Sequence, residues 1–196
     1  MKLELTTLDN GFRVASAHVA DIETVAFALS VGVGARYERP EEHGVSHLLE
    51  HMAFKGTPAL NARALAESFD LMGGNINAYT GNESTVYYVK VLKEYAEDAL
   101  RLLCDIVRRS TIDATELERE RGVILQEIAM YNDTPDELVM DHFQAECFPE
   151  QPIGRTILGT EASIGRHSRD DILQFIATHY VPRRMVLSAE IGRAHV

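Results

Sequence analysis

The chain reads as an α+β fold, a mostly antiparallel sheet covered by helices on one face. Three observations predict it. Strand-forming segments cluster early, the turn signal Asn10-Gly11 joins the first two, and long segments of helical pattern gather afterwards. No internal repeat or low-complexity linker interrupts that order.

Strands are predicted at Leu3–Thr7, Phe12–His18 and Thr24–Val33. A helix follows over roughly His43–Phe54. A second begins after Asn61, a suitable N-cap, and ends near the Gly73-Gly74 pair. Two strands come next, Asn75–Thr80 and Ser84–Leu92. Thr85-Val86-Tyr87-Tyr88-Val89 is rich in strand formers, and its two tyrosines alternate, one toward the core and the other toward a cleft. Helices are expected from about Glu94 to Arg109, with Leu100, Leu103, Cys104 and Val107 on one stripe, and from Asp113 to Tyr131. Asp133-Thr134-Pro135 breaks the pattern, and Pro135 suits the first turn of a helix through Phe148. A loop over Pro149–Gly159, a helix from about Arg169 to His179 and a strand at Met185–Ser188 complete the pass.

Composition bounds the function. A chain of 196 residues, 45% hydrophobic and 25% charged, can bury one good core. No run of about 18 apolar residues is present, so no membrane span is expected. The net charge of −11 argues against a nucleic-acid partner. Met1-Lys2-Leu3-Glu4-Leu5 enters directly into a strand pattern without the apolar run of a signal peptide, so a cytoplasmic location is expected. Cys104 and Cys147 suggest no disulfide framework.

The chemistry concentrates in His47-Leu48-Leu49-Glu50-His51. On a helix, positions i, i+3 and i+4 share a face, so two imidazoles and a carboxylate converge. Imidazole is the commonest neutral zinc ligand, and a carboxylate beside it can take a proton from water. This is the His-x-x-Glu-His order of the inverzincins. The five residues alone also suit a surface helix with two solvated histidines. Downstream, Glu120 and Glu127 lie two turns apart on one face of a strongly helical segment. His43 is a turn from His47 and is expected to cap the helix or be solvated. His18, His142, His167 and His179 lack partners at ligand spacing and are expected at the surface.

These residues resemble the pitrilysin family of zinc peptidases, which includes insulin-degrading enzyme and the mitochondrial processing peptidase. The likeness extends to Asn10-Gly11-Phe12-Arg13-Val14, Gly44-Val45-Ser46, Phe54-Lys55-Gly56-Thr57, Gly73-Gly74-Asn75-Ile76-Asn77-Ala78-Tyr79-Thr80, Tyr180-Val181-Pro182 and Met185-Val186-Leu187. It is strongest to bacterial relatives of the processing peptidase β subunit. The family's third ligand stands 76 residues after the second motif histidine, which is Glu127 here, and its second glutamate falls on Glu120. The resemblance thus implies one Zn2+ held by His47, His51 and Glu127, with water in the fourth position. It implies Glu50 as the base that activates that water and Glu120 as a helper that orients a ligand histidine. A solvated helix glutamate is the other reading of Glu120. The resemblance also points to Asn77 and Ala78 as residues that meet an extended peptide substrate by strand addition. A protected edge strand without ligand is the other reading there.

The last seven residues, Glu190 to Val196, can be encoded by GAG ATC GGA AGA GCA CAC GTC. After its first base that string matches a sequencing-library adapter. The expectation is a first-repeat zinc-binding peptidase domain over residues 1–189, a translated adapter over 190–196, and no ligand role for His195. Family members carry two repeats, so a C-terminal repeat or partner subunit is expected to complete the enzyme. The expected function is zinc-dependent hydrolysis of peptide bonds in extended peptides or oligopeptides. Two other classes keep the fold or the metal without the reaction: assembly proteins like the core subunits of the respiratory cytochrome complex, and a purely structural zinc domain. Core-type relatives lose ligands or the base, whereas all four residues are present here.

Overall fold

The computed structural model describes residues 2–20 and 22–192. Its sheet has six strands: β1 (Lys2–Thr7), β2 (Arg13–His18), β3 (Thr24–Val31), β4 (Asn75–Thr80), β5 (Thr85–Leu92) and β6 (Met185–Ile191). Their spatial order is β1-β2-β6-β3-β5-β4. Every neighbouring pair is antiparallel except β2 with β6. Among the described residues seven α-helices accompany the strands: α1 (Val45–Ala53), α2 (Ala62–Leu71), α3 (Ala96–Arg108), α4 (Ala114–Asn132), α5 (Pro135–Cys147), α6 (Glu161–Arg166) and α7 (Arg169–His179).

Strand alternation decides where the core sits. In β3, Val25, Phe27, Leu29 and Val31 are buried, while Ala26, Ala28 and Ser30 between them are only partly covered. The buried row joins Leu48 and Met52 of α1, Leu103 and Ile106 of α3, Ile124 of α4 and Phe175 of α7 in one core. Helix α3 packs across β5 and β3, and α1 lies against β4 and α4. The predicted Asn10-Gly11 turn closes the β1–β2 hairpin. Gly11 has φ 85° and donates to the Leu8 carbonyl, and Phe12 N donates to Asn10 Oδ1.

β6 inserts between β2 and β3, which are consecutive in sequence but not neighbours in the sheet. Nothing local to β2 or β3 encodes that partner. The strand also runs three residues past the expected Ser188, pairing Glu190 with both Ala17 and Ala26. Of the segment 190–196, Arg193 to Val196, with His195 among them, lie outside the described residues.

Helix α1 begins at Val45, two residues later than the pattern suggested. Gly44 before it is left-handed, with φ 87°, and a Cβ there would stand 2.7 Å from Ile164 Cδ1 and 2.9 Å from Gly159 Cα. The free N–H groups of the first turn are met by a distant carboxylate: Gly44 N and Ser46 N each donate to Glu38 at 2.8 Å. Asn61 and Asp113 cap α2 and α4 as their positions suggest, accepting from Ala64 N and from Thr115 N and Glu116 N. The short α6 escaped the sequence reading. Six residues are too few to show a period, and its capping box pairs Thr160 with Ser163 rather than with Glu or Gln.

Candidate metal centre

Helix α1 turns His47, Glu50 and His51 toward α4. The two imidazoles lie one turn apart and meet edge to face, with ring centroids at 4.7 Å and planes at 71°. Glu127, two turns after Glu120 on α4, reaches both from the other side. Its Oε2 is 3.7 Å from His47 Nε2 and 3.5 Å from His51 Nε2. One ligand atom from each of the three residues lies within 4.8 Å of the others.

The donor set fits a zinc ion. A tetrahedral ion with bonds of about 2.0–2.1 Å spaces its ligand atoms roughly 3.4 Å apart, close to the separations at Glu127. Those separations are too long for strong hydrogen bonds. Burial, with the neighbouring His51 adding to it, pushes the His47 imidazole down to about 4. At neutral pH it is therefore uncharged, the form that ligates. Its Nδ1 is buried without a hydrogen-bond partner among the described residues.

Glu120 is buried beneath the histidines. It accepts a hydrogen bond from His51 Nδ1 at 3.0 Å through Oε2, and its Oε1 lies 2.6 Å from Lys55 Nζ. The geometry places Glu120 beside a ligand candidate rather than in solvent. Glu50 is half-buried, and burial raises its carboxyl above the usual range, opposed chiefly by a hydrogen bond from Thr80. The Thr80 hydroxyl donates to Glu50 Oε2 at 2.5 Å. Thr80 ends β4, the edge strand that also carries Asn77 and Ala78. Asn77 is exposed and Ala78 buried, and the Ala78 N–H donates to Asn77 Oδ1 at 2.8 Å.

Tyr87 and Tyr88 part as strand alternation requires. Tyr87 is fully buried and shares a 3.0 Å hydrogen bond with the Tyr180 hydroxyl, while Tyr88 is exposed. Burial pushes the Tyr180 phenol up to about 12. Two histidine expectations need correction. His167 is buried, 2% exposed, and donates from Nε2 to the His43 carbonyl at 2.9 Å. His43 neither caps α1 nor stands in solvent: its Nε2 donates to the Thr156 carbonyl at 2.9 Å. The His43 ring ties the loop after α5 to the segment before α1 and the His167 ring ties the end of α6 to it, long-range contacts that no spacing could announce. Lys55, Thr80 and Glu38 were not singled out as site residues. Lys55 and Thr80 sit inside motif segments noticed for other reasons.

Residues 13–161 match the family described as insulinase, peptidase family M16. The chain is 45% identical over 184 residues to an "uncharacterized zinc protease" of Rickettsia bellii, covering 94% of this chain and 45% of that protein. It is 41% identical over 192 residues to the mitochondrial-processing peptidase subunit beta of Rattus norvegicus, covering 98% of this chain and 39% of that protein. A solved protease from Helicobacter pylori superposes with a TM-score of 0.92 at 25% identity, over 99% of this chain and 47% of that one. The chain spans less than half the length of these relatives.

Proposed function

Because the chain belongs to the insulinase family, peptidase family M16, we propose that it is the zinc-binding half of a metallopeptidase acting on extended peptides. One observation carries this reading: His47, His51 and Glu127 converge, with the Glu50 carboxylate on the same helix face tied to the edge strand by Thr80. When bound, zinc acts as a Lewis acid, bringing the pKa of water down to roughly 7 and polarising a peptide carbonyl.

The chain's own residues do the rest. His47, His51 and Glu127 hold the ion. Glu50 takes the proton of the attacking water and hands it to the leaving amine. A carboxylate has about four lone-pair positions, so the Thr80 contact on Oε2 leaves Oε1 for that proton. Partial burial makes Glu50 a stronger base than an exposed carboxylate. At the open edge of β4, a substrate strand would offer its own carbonyl to the Ala78 N–H in place of Asn77 Oδ1. The retained Glu50 counts against an assembly role and against a structural zinc, whose sites fill the fourth position with another protein ligand.

Zinc analysis of the purified chain, and peptide hydrolysis by the enzyme assembled with its remaining half, test the reading. The expected result is one zinc per chain, reduced in Glu127→Gln. Glu50→Gln should keep zinc yet turn over roughly 10²- to 10⁴-fold more slowly. Undiminished zinc in Glu127→Gln, or near wild-type turnover by Glu50→Gln, would refute it.

A further inference from the structure

Lys55 stands just beyond the end of α1, on a segment fixed from several sides. Its own N–H donates to the Met52 carbonyl, the Ser110 hydroxyl donates to that same carbonyl at 2.8 Å, and Thr111 N donates to the Gly56 carbonyl at 3.0 Å. From this anchored stretch the side chain folds back under the histidines, 28% exposed, and sets its ammonium 2.6 Å from Glu120 Oε1. Glu120 has two partners among the described residues, one for each oxygen: Lys55 on Oε1 and His51 Nδ1 on Oε2.

A buried carboxylate with a single neutral partner is costly to hold and free to rotate. A second, charged partner fixes both its place and its orientation. The geometry points to Lys55 as a positioning residue for the metal centre: by holding Glu120 Oε1 it aims Oε2 at His51 Nδ1. A neutral imidazole carries one N–H. Fixing it on Nδ1 leaves the Nε2 lone pair turned toward Glu127, where a metal ligand is needed. In this role Lys55 acts through Glu120 and His51 alone. The chain of contacts runs from a loop cation through a helix carboxylate to a ligand on a second helix.

The inference rests on the zinc reading for its purpose but not for its geometry, so two measurements separate them. The first is long-range 1H–15N correlation of the metal-free chain, which reports the tautomer of His51. The wild type and Lys55→Arg should show the Nδ1–H form, and Lys55→Met a mixture of both forms. The second is zinc affinity by chelator competition. Lys55→Met should bind roughly 10- to 100-fold more weakly, the range for loss of an outer partner of a ligand, and Lys55→Arg should recover most of that. Lys55→Met in a Glu120→Ala background should cause little further loss, because the contact acts through Glu120. A chain that binds no zinc would sink the metallopeptidase reading, while the tautomer comparison would still decide the role of Lys55. Overturning it would take an unchanged His51 tautomer in Lys55→Met, or full additivity with Glu120→Ala.

Discussion

Thr80 and Glu50, thirty residues apart, are joined by a 2.5 Å hydrogen bond from hydroxyl to carboxylate. The bond ties the last residue of an edge strand to the middle of the motif helix. A strand that receives substrate and a base that serves the reaction would then move as one unit.

Removing that tie should slow the reaction without emptying the metal site. A hydrogen bond to a charged group contributes about 1.5–3 kcal/mol. Thr80→Val in the assembled enzyme should therefore lower kcat roughly 10- to 100-fold, with zinc content unchanged and Thr80→Ser close to wild type. Stopped-time assays on a quenched peptide, paired with metal analysis, check this. Equal rates for Val and wild type would mean the bond is incidental.

Glu38 supplies a pH signature of stability. Burial raises its carboxyl from 4.5 to about 7, against the two backbone N–H groups that lower it. A folded value above the unfolded one means the stabilisation is fully present below 4.5 and is lost as pH rises through about 7, on the order of 3 kcal/mol in all. Glutamine does not titrate. The stability of wild type relative to Glu38→Gln should thus fall steadily between pH 4.5 and 7.5 in urea titrations. A difference that is flat or grows over that window contradicts the assignment.

The buried phenol pair should behave as a coupled unit. Tyr87 and Tyr180 share a 3.0 Å bond between hydroxyls. Tyr180→Phe strands the fully buried Tyr87 hydroxyl and should cost about 1–3 kcal/mol, whereas Tyr87→Phe leaves the Tyr180 hydroxyl bonded to Thr85 and should cost less. The double variant should cost less than the two singles together, by at least about 0.5 kcal/mol, as contacting residues do. Strict additivity in chemical denaturation would show that the hydroxyls do not interact.

Alone, the chain should be a poor peptidase even when loaded with zinc. It spans 45% of the Rickettsia relative and 39% of the rat subunit. Helix α5 has no buried residue and exposes Val139, Met140 and Phe143 on one side. Such a patch favours self-association. Cleavage of a quenched peptide should rise at least tenfold when the remaining half is supplied as a second polypeptide, and light scattering should show fewer aggregates. Efficient, chelator-sensitive cleavage by the chain by itself would show that this half suffices.

Much of this site was legible because its spacing is local. His47, Glu50 and His51 share a face by helical geometry alone, and Glu120 and Glu127 share another. What joins the two faces is tertiary and was reached only through family resemblance. The strands were legible from alternation and turn signals, but the place of β6 was not, since any strand could have filled that slot. Lys55 was hidden because it lies past the helix end, where the rule of four no longer says which way a side chain turns. His167 looked like a surface residue because its partner, the His43 carbonyl, is far away in sequence and belongs to the backbone. Side-chain patterns cannot announce contacts to main-chain atoms.

The position of β6 also sets a timetable for synthesis. Every candidate ligand lies within the first 127 residues, yet the strand between β2 and β3 begins only at Met185. A nascent chain on the ribosome therefore carries a complete ligand set while its sheet exists as two unjoined pieces, β1-β2 and β3-β5-β4. Until β6 emerges, the facing sides of β2 and β3 present unpaired backbone groups, the kind of edge that recruits other chains. Joining them must close the long excursion from Leu92 to Met185, and non-local pairing of this sort is slow. An ion captured during translation would thus bind helices that are not yet backed by a finished sheet, and the pairing of β6 with β2 and β3 would be the moment at which the centre becomes rigid.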